Sequence, residues 1–218
     1  MGRHDWYRNE NWTAETQAEF RARFNRSRGR FHKAQYLRIQ ALYLAQAKLP
    51  EPAISLLNEL LESYPEPSQV VAARMQLAEC LQAMGRTPAA IDEYRHAMQA
   101  ERESVPPKSG AWLPFAWLVF TERLDELYPE AFNVIPETLP QIALLFPIQR
   151  FKYNALCAMV AEWKSDRQSA QKYALAALKE AALDHSGFRY HATLGLVEEL
   201  EETLATRLRA LAAGCRQL

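Results

Sequence analysis

The chain has 218 residues, of which 49% are hydrophobic and 24% charged, and its formal net charge is zero. This composition is ordinary for a folded globular protein and excludes wholesale disorder. The three cysteines, Cys80, Cys157 and Cys215, are odd in number and form no C-x-x-C pair. They predict reduced thiols in a cytoplasmic protein, with no metal and no cofactor.

Membrane insertion and secretion are both disfavoured. The first thirty residues are polar and lack the apolar core of a signal peptide. The longest apolar run, Ala111 to Phe120, has ten residues, about half of the ~20 that a membrane-spanning helix requires. We therefore expect a cytoplasmic protein without a membrane partner.

The charges are unevenly distributed along the chain. Residues 1 to 40 contain nine Lys or Arg against four Asp or Glu, whereas residues 41 to 150 contain eight against fourteen. A basic start and an acidic middle can attract each other, or the start can attract an acidic partner.

Apolar residues recur at intervals of three and four through most of the chain, and no alternating run rich in β-branched residues occurs. The pattern predicts an all-α protein of about ten helices. Thr87 followed by Pro88 is a helix start, and Ser165 with Gln168 has the spacing of a capping box. The predicted helices span residues 13–29, 34–48, 51–64, 68–84, 87–102, 111–128, 130–146, 149–164, 167–184 and 193–213.

One segment recurs in the sequence. PEPAISLLNELLESYP at 50–65 aligns with RTPAAIDEYRHAMQAE at 86–101, and a third copy, SDRQSAQKYALAALKEA, lies at 165–181. Each copy has a small residue near its start and large apolar residues further on. The offsets of 37 and 80 residues leave room for one more unit of about 40 residues, a degenerate copy around 111–147.

These segments resemble the tetratricopeptide repeat (TPR), a helix-turn-helix unit of 34 residues. The opening DWYRNENW and the closing HSGFRYH are similar to the ends of a group of bacterial TPR proteins, a similarity that supports the fold and implies no activity. The best match, residues 71–100, has Arg74 where the family prefers Trp. Its matching positions are Leu77, Ala78, Leu81, Gly85, Ala90, Tyr94 and Ala97.

The resemblance implies a single TPR-like α-solenoid of antiparallel helix pairs over residues 1–218. A lone helix pair cannot bury its apolar face, so neighbouring pairs stack. The predicted parts are a basic capping helix at 1–33, TPR-like units at 34–65, 68–102 and 149–184, a degenerate unit at 111–147 and a C-terminal capping helix at 186–218.

In TPR proteins the first helix of each pair lines a concave groove that holds a peptide or a partner's helix. The resemblance therefore implies a non-catalytic adaptor or scaffold that binds another protein. An immunity-type inhibitor that sequesters one partner is the alternative. The groove positions by register are Gln35, Arg38, Leu42, Met75, Gln76, Glu79, Gln82, Lys152, Met159 and Trp163.

The stretch DHSGFRYH, residues 184–191, has two interpretations. His185 and His191 are six residues apart, and neither His-x-x-x-His nor His-Glu-x-x-His occurs in the chain, so a metal site has too few ligands. We expect a corner after a helix, with Gly187 in a left-handed conformation and Phe188 and Tyr190 holding the next segment on the core. Arg189, Tyr190 and His191 could also touch a partner.

The basic stretch FRARFNRSRGRFHK, residues 20–33, suggests a second alternative function. Arginines could meet phosphates while phenylalanines stack on bases. However, Phe20 and Phe24 have the spacing of a helix's core face, and the chain is neutral overall. Nucleic-acid binding is therefore the less favoured interpretation.

Two apolar segments remain. AWLPFAWLVF at 111–120 is either an exposed groove or a buried helix, and we expect a buried helix. In the last helix, the apolar stripe that includes Leu194 and Leu208 suits a capping helix or a dimer seam, and capping is favoured, so the chain is a monomer or a weak homodimer.

No sequence motif indicates an enzyme. A Gly-rich phosphate loop, a G-x-S-x-G elbow and a Cys/His pair placed by local sequence are all missing. We expect no catalysis.

Overall fold

The computed structural model describes residues 5–103, 109–135 and 144–214. Over these residues the protein contains ten α-helices, two short 3-10 helices and no β-strand, which confirms the predicted all-α class. The α-helices are α1 (Ala14–Arg26), α2 (Arg30–Gln46), α3 (Pro50–Ser63), α4 (Pro67–Ala83), α5 (Thr87–Glu103), α6 (Trp112–Thr121), α7 (Tyr128–Val134), α8 (Pro147–Trp163), α9 (Arg167–Ala181) and α10 (Glu202–Ala212), and the 3-10 helices are Asp5–Tyr7 and Asp125–Leu127.

The chain divides into two compact units, Met1–Phe115 and Ala116–Leu218, with the boundary inside α6. In the first unit α2 packs on α3, α4 packs on α5, and α4 also contacts α2 and α3. In the second unit α8 packs on α9, and α10 packs on both. The finer division into TPR-like units remains a prediction.

Four α-helices end in one type of turn, and three of these turns join packed helix pairs. Three-residue connections follow α2, α4, α6 and α8, and the middle residue of each has a positive φ: Lys48 (62°), Gly85 (71°), Arg123 (54°) and Ser165 (61°). Successive turns lie 37, 38 and 42 residues apart. The residue after each left-handed one donates its N–H to a carbonyl five positions earlier, which ends the helix. These bonds are Leu49 to Leu44 (2.9 Å), Arg86 to Leu81 (2.9 Å), Leu124 to Val119 (3.0 Å) and Asp166 to Ala161 (2.9 Å).

Small residues occupy matching places within three helix pairs. Ala53, Ala90 and Ala170, near the start of the second helix of each pair, are at most 3% exposed. Ala41, Ala78 and Ala158, on the first helices, are equally buried. A methyl side chain lets two helix backbones approach closely, so larger residues there would force the pairs apart.

The start of α9 differs in detail from its prediction. Ser165 occupies the left-handed position of the turn, and Asp166 is the capping residue, whose carboxylate accepts the N–H of Ser169 at 3.1 Å. Hydrogen bonds from the Ser169 hydroxyl and backbone lower the pKa of this exposed carboxyl. The expected cap was therefore displaced by one residue.

A buried glutamine holds the N-terminal segment on α2. Gln40 is fully buried, and its amide exchanges hydrogen bonds with Asn9: the Asn9 backbone N–H donates to Oε1 at 3.0 Å, and Gln40 Nε2 donates to the Asn9 carbonyl at 2.7 Å. Trp6, in the same segment, contacts the rings of Phe20 and Tyr36. The opening segment is thus part of the core of the first unit.

A second buried polar group organises the start of α6. Glu101, at the end of α5, is 8% exposed and accepts the backbone N–H groups of Gly110 (2.7 Å) and Ala111 (3.2 Å). These N–H groups precede the first turn of α6, which has no intrahelical acceptors for them. The carboxylate therefore caps α6 from the neighbouring helix.

The last helix, predicted over residues 193–213, begins later in the chain than expected. Residues 193–200 are irregular, and α10 begins at Glu202. Gly195 has a φ of 70°, and its carbonyl accepts the N–H of Ile148 at 2.8 Å. A Cβ on Gly195 would lie 2.6 Å from the Cβ of Phe146, so this segment is pressed against the start of α8.

The predicted helix at 130–146 also differs. It begins at Tyr128 and ends at Val134, and Leu144 and Leu145 lie in irregular backbone. Residues 136–143 of that prediction lie outside the described residues. The predicted helix at 111–128 is too long at its end, because α6 stops at Thr121 and a turn follows. Five of the residues of α6 are at most 1% exposed, as expected for a buried helix.

We predict that Gly195→Ala destabilises the protein more than Gly187→Ala. Both glycines have positive φ, so each substitution carries about 1–2 kcal/mol of backbone strain. Only Gly195 also meets a neighbour, which adds about 1–3 kcal/mol of overpacking. Urea denaturation should show a lower midpoint for Gly195→Ala, and equal losses would contradict the close approach.

Candidate functional site

A pocket of about 450 Å³ opens on the surface of the first unit, between the end of α2 and the C-terminal half of α4. The turn between α2 and α3 forms its third wall. It is lined by Leu42, Ala45, Gln46, Lys48, Pro50, Gln76, Glu79, Cys80 and Ala83. This volume lies within the range of about 300–1,000 Å³ that is typical of ligand pockets.

Helical periodicity directs these side chains into one space. Leu42, Ala45 and Gln46 recur at the spacing of one face of α2. The same spacing places four residues of α4 on one face: Gln76, Glu79, Cys80 and Ala83. Because α2 and α4 pack against each other, the two faces form adjoining walls.

One lining residue, Gln76, has a buried side-chain oxygen that is unpaired in the described part of the chain, and the open pocket does not reach this atom. Gln76 Oε1 is inaccessible to solvent and has no hydrogen-bond donor among the described residues. Leaving a buried polar atom unpaired destabilises a fold by about 1–3 kcal/mol. Trp112 Nε1 is a second such atom, but Trp112 does not line the pocket.

Charged groups give the pocket two different ends. Glu79, which is exposed, lies one helical turn after Gln76 on α4. Lys48, also exposed, lies at the left-handed position of the turn after α2. The α4 wall therefore carries an anionic side chain, and the α2–α3 turn carries a cationic one.

Cys80 is the thiol in the pocket wall, and it is 3% exposed. Burial raises its pKa to about 11, and the nearby Glu79 carboxylate acts in the same direction. The thiol therefore stays neutral near pH 7, and a neutral thiol is a poor nucleophile.

Three of the ten predicted groove residues, Leu42, Gln76 and Glu79, come together in this pocket. Arg38 lies one turn before Leu42 and donates from Nε to Gln69 Oε1 at 2.7 Å, and burial lowers its pKa. The other predicted residues of the first unit, Gln35, Met75 and Gln82, are half-buried and lie outside the pocket lining.

The three predicted residues on α8 belong to the second unit and are engaged differently. Lys152 lies over the ring of Trp117 at 5.5 Å from its centroid. Met159 is fully buried, and its sulfur accepts from Arg207 Nη1 at 3.3 Å, so it does not reach the surface. Trp163 is 39% exposed and contacts an aromatic cluster made of Phe120, Tyr128 and Phe132.

Arg207 on α10 contacts α8 and contributes to the burial of Met159. Its Nη2 lies 2.7 Å from Glu162 Oε2, and its Nη1 donates to the Phe120 carbonyl at 3.0 Å. A charge this deeply buried needs such partners. In the second unit, the terminal helix therefore covers part of the α8 face that register assigns to a partner.

The stretch DHSGFRYH forms a corner. Ser186 is buried, and its hydroxyl donates to the His191 carbonyl at 2.6 Å and accepts the Phe188 N–H at 3.2 Å. Gly187 has a φ of 88°, and Phe188 packs on the ring of Phe146. No group of three potential metal ligands occurs among the described residues.

Tyr190 does not hold the corner on the core, contrary to the prediction, because it is 80% exposed. Arg189 lies over its ring at 5.3 Å, and His191 is exposed beside it. The three residues that could touch a partner, Arg189, Tyr190 and His191, are therefore all exposed on the second unit.

The basic N-terminal stretch packs as a core element. Phe20 and Phe24 are at most 2% exposed and cannot stack on bases. Arg21 forms an ion pair with Glu59 of the acidic middle at 2.7 Å. Phe31 is 44% exposed, so one of the three aromatic residues remains on the surface.

Sequence reasoning missed the part of the pocket formed by the α2–α3 turn and by Cys80. The signal for Lys48 was present, because the repeat offset of 37 residues aligns Lys48 with Gly85. Nothing in the sequence indicates that Gln76 Oε1 lacks a donor.

Comparison with known proteins finds no matching family model, curated protein or solved structure. In the described part of the chain, no helix is both long and apolar enough to span a bilayer. The TPR resemblance therefore depends on the residues and turns described above.

We predict that Cys80 reacts slowly with iodoacetamide at pH 8. Raising a thiol pKa from 9.0 to about 11 lowers the thiolate fraction about a hundredfold at that pH. Peptide mass mapping should show alkylation of Cys80 at least about tenfold slower in the folded protein than in urea. Equal rates would show that the thiol is neither buried nor shifted.

Proposed function

We propose that this protein is a non-catalytic interaction module built from TPR-like helix pairs, which binds a peptide segment of another protein in the pocket between α2 and α4. The observation that carries the proposal is an open pocket of about 450 Å³ lined by α2 and α4, the first helices of two neighbouring pairs. A concave surface with mixed apolar and polar lining is the usual form of a binding site.

The repeated turns support the TPR-like part of this proposal. Four connections of equal length carry a left-handed residue at the same place, and three of the pairs bury alanines at matching positions. A recurring supersecondary unit of this kind is the basis of helical-repeat binding proteins. The pocket lies on α2 and α4, the first helices of two such pairs.

The pocket suits an extended peptide better than it suits a reacting substrate. Its apolar wall of Leu42, Ala45 and Ala83 can receive a side chain, and its polar atoms can meet peptide groups. The Cys80 thiol is held neutral by burial, which makes it a packing group. An adaptor or scaffold role follows from these features.

Nucleic-acid binding has less support. Two of the aromatic residues that would stack on bases are buried, and Arg21 is paired with Glu59. A sequestering inhibitor has no separate observation in its favour, so we retain the adaptor as the proposed function.

We predict that Ala83→Trp weakens peptide binding. Ala83 is exposed at the pocket edge, so an indole there fills the pocket without entering the core. Peptides enriched from a random phage-displayed library on the wild-type protein should bind Ala83→Trp at least about tenfold more weakly by fluorescence anisotropy, a loss of about 1.4 kcal/mol.

Ala18→Trp is the matched control, because Ala18 is an exposed alanine of α1 outside the pocket lining. It should leave the affinity unchanged. A library that yields no binder, or binders that tolerate Ala83→Trp, would refute the proposed function.

A further inference from the structure

The cations of the first unit are concentrated in one part of its sequence. Residues 20–50 contain eight Lys or Arg and no Asp or Glu. Three of these cations have a partner within the first unit, namely Arg21 (Glu59), Lys33 (the ring of Phe24) and Arg38 (Gln69). Such partners hold these three side chains against the protein's own surface.

Three arginines between Phe20 and the start of α2 are not held in this way. Within the described part of the chain, the exposed side chains of Arg23, Arg26 and Arg28 make no ion pair or hydrogen bond. Arg30 adds a fourth exposed cation, because its side chain is 65% exposed and its Nε is 4.0 Å from Glu66 Oε1, a separation at the limit of an ion pair. These four arginines form the basic corner of the first unit.

The end of α1 and the start of α2 bring the basic corner together. Arg23 and Arg26 are three residues apart on α1, so they lie on the same side of that helix. Residues 27–29 connect the two helices, and α2 begins at Arg30. Like charges at this spacing repel each other, so an anion that binds at the corner relieves repulsion as well as forming its own ion pairs.

An exposed aromatic side chain adjoins the basic corner. Phe31 follows Arg30 in the first turn of α2 and is 44% exposed, and its ring contacts that of His32. The other two phenylalanines of the basic stretch, Phe20 and Phe24, are buried. The corner therefore offers several cations and one apolar contact.

This combination fits an acidic peptide better than a nucleic acid or a membrane surface. Single-stranded nucleic acid stacks successive bases on several aromatic side chains, and proteins that bind it are typically basic overall, whereas this chain has a net charge of zero. A helix that lies on a membrane inserts its apolar face, but the apolar faces of α1 and α2 are buried in the core. An acidic peptide needs only guanidinium groups for its carboxylates, which arginine binds with paired hydrogen bonds, and one apolar contact.

We propose that the basic corner binds an acidic segment of a partner protein, whose carboxylates pair with Arg23, Arg26 and Arg28 while an apolar side chain packs on Phe31. This surface is separate from the pocket, because Arg30 and Leu42 are twelve residues apart on α2, about 18 Å along the helix axis. The inference therefore goes beyond the proposed function, and neither depends on the other.

The test measures the fluorescence anisotropy of a fluorescein-labelled pentapeptide that has one leucine between two pairs of glutamates. The control peptide has glutamine in place of each glutamate. At low salt the acidic peptide should bind the wild-type protein at least about tenfold more tightly than the glutamine peptide. Its affinity should fall as salt is added, because the charges of the corner are exposed.

Two triple variants with the same change in net charge sharpen the test. The first replaces the three unpaired arginines of the corner: Arg23→Gln, Arg26→Gln and Arg28→Gln. The second replaces three exposed cations elsewhere: Arg86→Gln, Arg167→Gln and Lys179→Gln. The corner variant should bind the acidic peptide at least about tenfold more weakly than the wild type, and the second variant should keep the wild-type affinity within about twofold. Circular dichroism verifies that both fold.

A variant at Phe31 tests the apolar contact. Phe31→Ala should weaken the acidic peptide about threefold, because the leucine loses the apolar surface on which it packs. The same variant should leave unchanged the affinity of an acidic peptide with glycine in place of leucine. An equal effect on both peptides would contradict the assigned role of Phe31.

The other outcomes each overturn the inference. Equal losses in the two triple variants would show that only net charge matters, and an acidic peptide that binds no better than the glutamine peptide would show that the corner is a solvated surface. A labelled oligothymidylate, or vesicles that contain phosphatidylserine, would replace the acidic peptide as the ligand if either bound more tightly and lost binding in the corner variant. Ala83→Trp fills the pocket and should leave acidic-peptide binding unchanged, so failure here and failure of the proposed function are distinguishable.

Discussion

The left-handed residue in each three-residue turn is the constraint on which the structure depends. It ends the helix, and after α2, α4 and α8 the next helix lies against the one before the turn. Buried alanines then allow the paired helices to approach closely. In the first unit the same turn places Lys48 and Pro50 beside α4, so the connection that forms the helix pair also supplies one wall of the pocket.

Several buried polar groups find their partners within the protein. Gln40 and Glu101 are buried and fully engaged by backbone groups of Asn9, Gly110 and Ala111. Arg207 is similarly matched by Glu162 in the second unit. Two buried side-chain atoms, Gln76 Oε1 and Trp112 Nε1, lack a partner among the described residues. The binding role proposed for the pocket depends on its volume and on its mixed apolar and polar lining.

Local sequence signals predicted seven of the ten helices to within four residues, because periodicity acts over a few residues. The repeat offset also placed Lys48 and Ser165 in register with Gly85, although neither is a glycine. The start of α10 was not predictable in this way, since Leu194 continues a helical pattern and only the contact of Gly195 with Phe146 opposes it. Register identified Leu42, Gln76 and Glu79, but it also nominated Met159, which α10 buries. Burial by a distant helix leaves no mark in the local sequence.

Hydrogen exchange at the turns tests the central constraint most directly. The amides of Leu49, Arg86, Leu124 and Asp166 follow the left-handed residues and donate across the helix ends. If these turns hold the helix pairs together, all four amides exchange at rates close to those of the helix interiors and open only with their helices. Exchange at the rate of an unstructured peptide would show that the turns are loose and that the helix pairs, with the pocket between them, are not built as described.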